Sequence, residues 1–468
     1  MIKFINNSIW LFFSQTIVKI SAFAYGIYLA RELSIEDFGR YALAVTVFSI
    51  LNLIIDCGMS VFTVREVSKR PELAKSLYNQ TLKIRLFLAV FIIVLEALTY
   101  FIFFRGMEKY WYILLYSMCL IPSAFSLTSA SIFNSFQKMG NVARITSLVS
   151  IIEVGVGIFL LKKGYGISIV IMISFLSLVI QALYLRIKVT KFFPEDEVKE
   201  PKKWYFLLRS SLPLMSLFVI NILYFKVDIL MISFYKDESA VGLYNAVYKI
   251  INALIIIPQV LSNSFFPYIT SLINKNPDEY KRAVITCLRI VVLIVLPVSV
   301  GILFESQKIV YLLFGEKFAP ATNTLVLLGV GMVFLSINTI IGTILLSRNS
   351  NSIMIKISII SLILNVLLNA SLIPKLAIEG AAIATLTTEI LSTFLFLYLL
   401  RDLKIKWIFE FKSLLISSVV LGLFLVFVKL QSLIYTIVIS AILYVVTLQI
   451  LGETKSIINF ISKKGKTT

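Results

Sequence analysis

The chain is a series of long apolar stretches separated by short polar connections. We assign fourteen apolar spans, at residues 7–30, 39–64, 80–104, 111–135, 142–161, 166–187, 207–235, 242–272, 284–304, 319–346, 352–373, 378–400, 413–430 and 432–451. They are near-continuous runs of about 20 residues, the length at which an α-helix crosses a bilayer, whereas barrel strands alternate over about 10 residues. The pattern predicts an all-α polytopic membrane protein with about 14 transmembrane helices.

Span 8 carries a single polar stripe on an otherwise apolar helix. The members of the stripe step by 4, 3, 7 and 4 residues; they are Asn245, Lys249, Asn252, Gln259 and Asn263. At about 100° per residue they fall within roughly an 80° arc of one helix face. Such a helix turns its apolar sides to lipid or other helices and its polar stripe to a wet interior. The stripe therefore predicts a substrate path through the membrane.

Three lysines lie inside spans: Lys19 in span 1, Lys226 in span 7 and Lys249 in span 8. Lys19 is at the middle of span 1, about 17 Å of helix from either end, too far for its side chain to reach an interface. Gln15 shares its face. An ionisable group at that depth costs at least about 2.5–3.5 kcal/mol, so we expect Lys19 to line the substrate path, with a structural ion pair as the alternative. Lys249 is about 10 Å from the outer end of span 8 and could snorkel, but snorkelling would not require the deeper amides of the stripe.

Acidic residues inside the spans are candidates for binding or ion coupling. Lys226 and Asp228 are two residues apart, about 200° around a helix, so they face opposite ways and do not form a pair. We expect one of them to face the substrate path and favour Asp228 for that role, while Lys226 reaches toward the outer interface. Asp56, Asp228 and Glu153 are the candidates for coupling to a proton or sodium gradient.

Composition and charge agree with a membrane protein. The chain of 468 residues is 59% hydrophobic and 15% charged, against about 25% charged in soluble proteins. Its formal charge of +19 does not indicate nucleic acid, because the basic residues are unevenly distributed over the connections. Of 44 Lys and Arg residues, 30, Arg85 among them, are assigned to one set of connections, 11 to the other and 3 to the spans. The positive-inside rule then places both termini in the cytoplasm.

The residue types of the chain give little support for a metal site or for catalysis. The chain has no histidine and only three cysteines, Cys57, Cys119 and Cys287, which lie in or beside spans without paired spacing. We therefore predict no metal site, no cofactor and no catalytic residues. The longest outward connection, 305–318, is also too short for an extracytoplasmic catalytic domain.

A charged, proline-bearing segment, 188–206, separates two groups of six spans. Gly-x-Tyr begins span 2 as Gly39-Arg40-Tyr41 and span 8 as Gly242-Leu243-Tyr244, 203 residues apart. Because the motif recurs six spans later, the two halves share one membrane orientation, a plan common in transporters with the site between the halves. We predict a lobe at 1–187, a cytoplasmic linker at 188–206, a second lobe at 207–400, and two additional helices with a basic tail at 401–468. Lys19 would then face Lys249 across the gap between the lobes.

Several motifs follow one another in a characteristic order. They are the two Gly-x-Tyr motifs, Tyr224-Phe225-Lys226-Val227-Asp228, Phe265-Phe266-Pro267, Phe314-Gly315-Glu316-Lys317-Phe318, and Ile373-Pro374-Lys375 followed by Glu379-Gly380-Ala381-Ala382. In this order the chain resembles, over essentially its whole length, the O-antigen and capsule repeat-unit (Wzx-like) flippases of the multidrug/oligosaccharidyl-lipid/polysaccharide exporter superfamily. The resemblance implies a non-enzymatic transporter in the inner membrane of a prokaryote. It would move undecaprenyl-diphosphate-linked oligosaccharides by alternating access.

The resemblance also implies partners for the protein. Three other functions compete with the flippase interpretation. The partners would be the lipid-linked oligosaccharide and membrane lipid. A functional association with a polysaccharide polymerase and glycosyltransferases is also expected, and the protein itself would be a monomer. A cation-coupled multidrug antiporter of the same superfamily is the nearest rival, but three intramembrane lysines would repel a cationic drug. A membrane polysaccharide polymerase or ligase would need a large outward loop with acid and base residues. A purely structural membrane protein would not need polar stripes at these depths.

Overall fold

The computed structural model describes residues 2–193, 204–273, 276–428 and 432–453. In these ranges all regular secondary structure is helical, which confirms the predicted all-α fold. Part of the predicted linker, 194–203, and the basic tail after residue 453 lie outside the described residues. The chain forms two compact units, Met1–Ala246 and Val247–Thr468.

The first unit contains nine complete helices and the start of a tenth. They are α1 (Ile2–Glu32), α2 (Ile35–Asp56), α3 (Met59–Lys69), α4 (Ala74–Phe103), α5 (Glu108–Ser117), α6 (Leu120–Ser135), α7 (Met139–Lys162), α8 (Ile167–Val189), α9 (Trp204–Tyr235) and the beginning of α10 (Glu238–Leu254). Helix α9 packs against α2 and α3. The unit therefore extends beyond the predicted lobe end at 187, and the lobe boundaries stay a prediction from the sequence repeat.

The second unit is built around α12. Its helices are α11 (Ile256–Leu272), α12 (Pro277–Phe314), α13 (Thr322–Ser347), α14 (Asn351–Leu399), α15 (Trp407–Phe427) and α16 (Leu433–Ile450). Buried apolar side chains of α12, α13, α15 and α16 form one core, with Val291, Ile340, Leu421 and Tyr444 among its members. The two C-terminal helices are thus packed into the core of this unit.

Helix α14 is a hairpin of two helices. A straight helix of its 49 residues would be about 73 Å long, more than twice the hydrocarbon thickness of a bilayer. Ala377 has non-helical angles, φ 49° and ψ −126°, and the Oγ atoms of Ser361 and Ser392 are 2.8 Å apart. Both halves therefore pack side by side. A Cβ at Gly380 would lie 2.5 Å from the Leu372 carbonyl oxygen, so the Gly of this motif permits the tight turn.

Within the described ranges, each predicted span coincides with helix, and three spans are broken helices. Span 2 is α2 and α3, span 4 is α5 and α6, and span 8 is α10 and α11. Eleven helices in the described ranges have the length and apolar composition to cross a membrane, so the multi-pass prediction is confirmed while the count of fourteen stays a prediction. The expected outward connection 305–318 is corrected: α12 continues to Phe314, and a 3₁₀ turn follows at Glu316–Ala321.

Candidate functional site

The polar stripe of span 8 lies on the open side of α10 and α11. Asn252, Gln259 and Asn263 are exposed, and Asn245 and Lys249 are partly exposed. The apolar residues between them are buried, including Val241, Tyr244, Ala246, Val247, Ile250 and Ile251. The structure therefore separates an apolar packing face from a face of amides and one ammonium group. Such a face can offer hydrogen bonds to hydroxyl groups and a positive charge to an anion.

Lys19 and Gln15 lie on the exposed face of α1. The opposite face packs on α7, where the Ser14 hydroxyl donates to the Ala143 carbonyl oxygen at 2.8 Å and lies 2.6 Å from the Ser147 hydroxyl. Tyr25 and Leu29 are buried along the packed side of the same helix. Lys19 thus lies on the face of α1 away from its packing against α7.

The structure separates Lys226 from Asp228, as the helical spacing predicts. Asp228 is 3% exposed and accepts a hydrogen bond of 2.7 Å from the Tyr244 hydroxyl. Lys226 is partly exposed on another side of α9. Tyr244 is the tyrosine of the second Gly-x-Tyr motif, so this motif holds a buried carboxylate in place.

Asp56 forms an ion pair that the sequence does not reveal. Its Oδ1 is 2.6 Å from a guanidinium nitrogen of Arg85, whose side chain is fully buried in α4. The guanidinium also donates to the Thr128 hydroxyl at 2.6 Å and the Ser60 hydroxyl at 3.0 Å. This corrects the assignment of Arg85 to a cytoplasmic connection. Arg85 lies near the end of its span, and a pairing 29 residues away leaves no local sequence signal.

A break between α2 and α3 positions Asp56. Helix α2 ends at Asp56, and both Cys57 and Gly58 adopt left-handed angles, φ 49° and 73°. Gly58 takes this conformation without steric cost, which makes it the natural break point. Across the break, the Ser60 hydroxyl still donates to Asp56 at 2.5 Å. The break therefore turns the carboxylate to α4 and fixes it against Arg85.

Glu153 has a different environment from Asp56. Its Oε1 accepts a hydrogen bond of 2.7 Å from the Ser174 hydroxyl of α8, and Tyr25, Tyr41 and Tyr116 lie close enough to interact with it electrostatically. Within the described residues Ser174 is its one hydrogen-bond partner, and no ion pair is formed. The Glu153 carboxyl of α7 is thus held by a hydroxyl of α8.

Polar groups also connect the second half of α14 with α13. The Asn338 amide donates to the Glu389 carboxylate at 2.7 Å, and the Thr393 hydroxyl donates to the Asn338 amide oxygen at 2.8 Å. Asn369 donates to Asn365 at 2.9 Å on the first half of α14. These side chains are largely buried, as expected for hydrogen bonds that join packed membrane helices. Across the described ranges, no group of three or more His, Cys, Asp or Glu residues could hold a metal ion.

Two family models match the chain. A model described as "Polysaccharide biosynthesis protein" matches residues 4–273, and the model MatE matches residues 213–371. The first covers more than half of the chain.

Curated relatives and solved structures agree with these matches. The chain is 22% identical to the probable low-salt glycan biosynthesis flippase Agl15 of Haloferax volcanii, over 79% of this chain and 77% of that protein. It is 24% identical to a putative O-antigen transporter of Shigella flexneri, over 84% and 97%. A structure of the lipid II flippase MurJ in an inward closed conformation has a TM-score of 0.73 at 18% identity, covering 96% and 98% of the two chains. An inward-facing multidrug resistance MATE transporter has a TM-score of 0.63 at 16% identity, covering 83% and 94%.

Proposed function

The chain belongs to the polysaccharide biosynthesis protein family of the multidrug/oligosaccharidyl-lipid/polysaccharide exporter superfamily, and we propose that it is a flippase for lipid-linked oligosaccharides. The substrate is an undecaprenyl-diphosphate-linked repeat unit of an O-antigen, capsule or exopolysaccharide. The protein carries it across the cytoplasmic membrane of a prokaryote by alternating access, with both termini in the cytoplasm. It works as a transporter together with the glycosyltransferases and the polymerase that assemble the same polysaccharide.

The observation that carries this proposal is the exposed polar face of α10 and α11. A diphosphate is recognised by cations in a low-dielectric setting, and Lys249 and Lys19 supply them on exposed helix faces. The amides of Asn245, Asn252 and Gln259 suit sugar hydroxyls. The polyprenyl tail can remain in lipid, because it gains nothing from entering a polar path. A multidrug antiporter remains the second candidate, since a MATE transporter shares the fold.

A deletion strain tests the function directly. Without the protein, lipid-linked oligosaccharide should accumulate in the cytoplasmic leaflet while surface polysaccharide is lost. The leaflet can be assigned with a membrane-impermeant reagent that modifies sugars in intact spheroplasts and again in inverted vesicles. Normal display of the polysaccharide in the deletion strain, together with a new sensitivity to cationic drugs, would favour the antiporter instead.

We propose that Glu153 couples transport to a proton gradient. Among the three acidic candidates, Asp56 is paired with Arg85 and Asp228 is buried against Tyr244. Glu153 is held by one serine hydroxyl, so loss or gain of a proton leaves no buried cation unpaired. A Cβ at Gly157, one turn further along α7, would overlap the Tyr25 hydroxyl. Tyr25 of α1 therefore packs against α7 one turn from Glu153.

Glu153→Gln should transport without responding to an imposed proton gradient. The amide keeps the size and the bond from Ser174 but cannot release a proton, so the rate should fall to the gradient-independent level. Flipping of a lipid-linked oligosaccharide in proteoliposomes, with and without a pH difference, measures this. Glu32→Gln, at an exposed acidic residue of α1, is the control. If the Glu153→Gln variant remains as gradient-dependent as the wild type, Glu153 is not the coupling group.

A further inference from the structure

A polar cleft lies at the C-terminal end of α12. Its volume of about 640 Å³ falls within the range of about 300–1,000 Å³ that is typical of sites for small ligands. The walls come from the last two turns of α12, the 3₁₀ turn that follows and the start of α16, and include Gln307, Lys308, Tyr311, Leu312, Glu316 and Leu433. The cleft thus lies on other helices than the polar face of α10 and α11.

A glycine ends α12 and shapes the wall of the cleft. Gly315 has φ 87°, an angle that glycine adopts without steric cost, and its N–H donates to the Tyr311 carbonyl oxygen at 3.0 Å. Beyond it, the buried ring of Phe318 packs against Phe314 with ring centroids 5.5 Å apart. A Cβ at Gly315 would meet no atom within 4 Å. The backbone is therefore fixed beside open space, and Glu316 is exposed at that point.

The side chains of the cleft are those that a sugar can use. Tyr311 is 64% exposed, and its ring offers a flat apolar surface to the C–H face of a sugar ring. The exposed amide of Gln307 can donate and accept hydrogen bonds, and the exposed carboxylate of Glu316 can accept them from hydroxyl groups. Leu312 extends the apolar surface beside Tyr311. An apolar surface with a few polar groups is the usual composition of a ligand site.

The charges of the cleft favour a neutral ligand. Among the described residues that line it, the charged ones are Lys308 and Glu316. The Lys308 ammonium is 2.8 Å from the Glu305 carboxylate, whose side chain is 8% exposed. This ion pair neutralises the lysine, so the cleft has no excess of positive charge to attract a phosphate group. Hydroxyl-rich sugars fit such a cleft better than a diphosphate or a lipid headgroup.

The direction of α12 assigns the cleft to one side of the membrane. The helix has 38 residues, from Pro277 to Phe314, a length of about 57 Å, which exceeds the hydrocarbon thickness of about 30 Å. Its first two turns carry Lys281 and Arg282, which mark a cytoplasmic end by the positive-inside rule. The cleft at the opposite end then faces the outside.

We propose that this cleft binds the sugar units of the oligosaccharide on the outer side, after they leave the transport path. The inference rests on the proposed flippase function, which delivers these sugars to the outside. Binding there stabilises the outward product relative to the oligosaccharide inside the path, so the cleft favours net export. The ligand class is therefore a neutral oligosaccharide, held by a tyrosine ring, an amide and a carboxylate.

Protection of a thiol from labelling tests the site and its sidedness. Ala319→Cys lies in the cleft without removing a polar group, and Cys57→Ser removes the partly exposed native thiol. The probe is the free repeat-unit oligosaccharide, released by mild acid from its lipid carrier. At about ten times its Kd it should slow the reaction with an impermeant maleimide in intact spheroplasts roughly tenfold, because the thiol reacts only in the unoccupied cleft. Tyr165→Cys, at an exposed tyrosine of another expected outward connection, is the control and should not be protected.

Substitutions in the cleft then show which groups bind the sugar. With the Ala319→Cys reporter, Tyr311→Ala and Glu316→Gln should each require roughly five- to tenfold more oligosaccharide for equal protection. Tyr165→Ala should require the same amount as the parent protein. The proposal is overturned by an unprotected thiol, by equal protection in both cleft variants, by labelling only in inverted vesicles, or by protection with glycerol phosphate instead of the oligosaccharide. Protein that flips lipid-linked oligosaccharide without protection refutes the cleft alone, whereas protection in protein that moves no lipid-linked oligosaccharide refutes the proposed function.

Discussion

Replacing Lys19 or Lys249 by alanine is expected to abolish export of surface polysaccharide while the protein still inserts in the membrane. The Lys19 side chain is exposed and the Lys249 side chain is partly exposed. A charge-assisted contact to a diphosphate is worth about 1.5–3 kcal/mol, and its loss should weaken substrate binding by roughly 10- to 100-fold. The display of polysaccharide on cells, measured at equal protein levels, reports the result.

Matched variants distinguish the loss of the positive charge from a general loss of protein function. Lys19→Arg and Lys249→Arg keep a cation and should retain part of the export. Lys412→Ala, at an exposed lysine of α15 outside the polar faces, should export normally. Normal export by both Lys19→Ala and Lys249→Ala would refute the diphosphate role of these lysines and would remove the main argument against a cation-coupled antiporter.

The sequence predicts well those features that depend on the geometry of one helix alone. The spans follow from the length that hydrocarbon imposes, and each coincides with helix. The stripe from Asn245 to Asn263 keeps its face even though α10 and α11 are separated at Ile255. The opposite directions of Lys226 and Asp228 follow from helical geometry alone.

The contacts between helices could not be predicted from the sequence. Arg85 has the position of a loop residue in a hydropathy profile, yet it is fully buried because Asp56, Ser60 and Thr128 come from three other helices. The tyrosines of the two Gly-x-Tyr motifs show the same limit. Tyr244 donates to Asp228, whereas the ring of Tyr41 packs edge-on against Tyr116, and only the packing reveals these partners.

The fold also bears on the rival functions. A polymerase or ligase needs acid and base residues on an outward loop, but the longest expected outward connection is mostly helix in the structure. A purely structural protein would not need an exposed lysine on α1 and a partly exposed lysine on α10, given the cost of charge in a membrane. The antiporter shares the fold, so the lysine variants and the deletion strain decide between the two transporters.

Asp56→Ala should destabilise the protein by about 3–5 kcal/mol, because it leaves the buried guanidinium of Arg85 without its counter-ion. Arg85 is 0% exposed, so without the carboxylate its guanidinium keeps only the hydroxyls of Ser60 and Thr128. Ser60→Ala removes one hydroxyl from the same group and should cost about 1 kcal/mol. Lys83→Met, two residues before Arg85 and exposed, is the control for changing a basic residue of α4. Thermal unfolding in detergent measures all three, and an Asp56→Ala variant as stable as the wild type would contradict the ion pair.

The double variant Asp56→Leu with Arg85→Met then separates structure from coupling. Replacing a buried ion pair by apolar residues of similar volume is often neutral or stabilising, so the double variant should recover most of the stability that Asp56→Ala loses. It also removes any proton that Asp56 could carry. If the recovered protein still flips substrate in response to a proton gradient, Asp56 is structural and Glu153 remains the coupling group. If stability returns but the gradient no longer drives transport, the coupling role moves from Glu153 to Asp56.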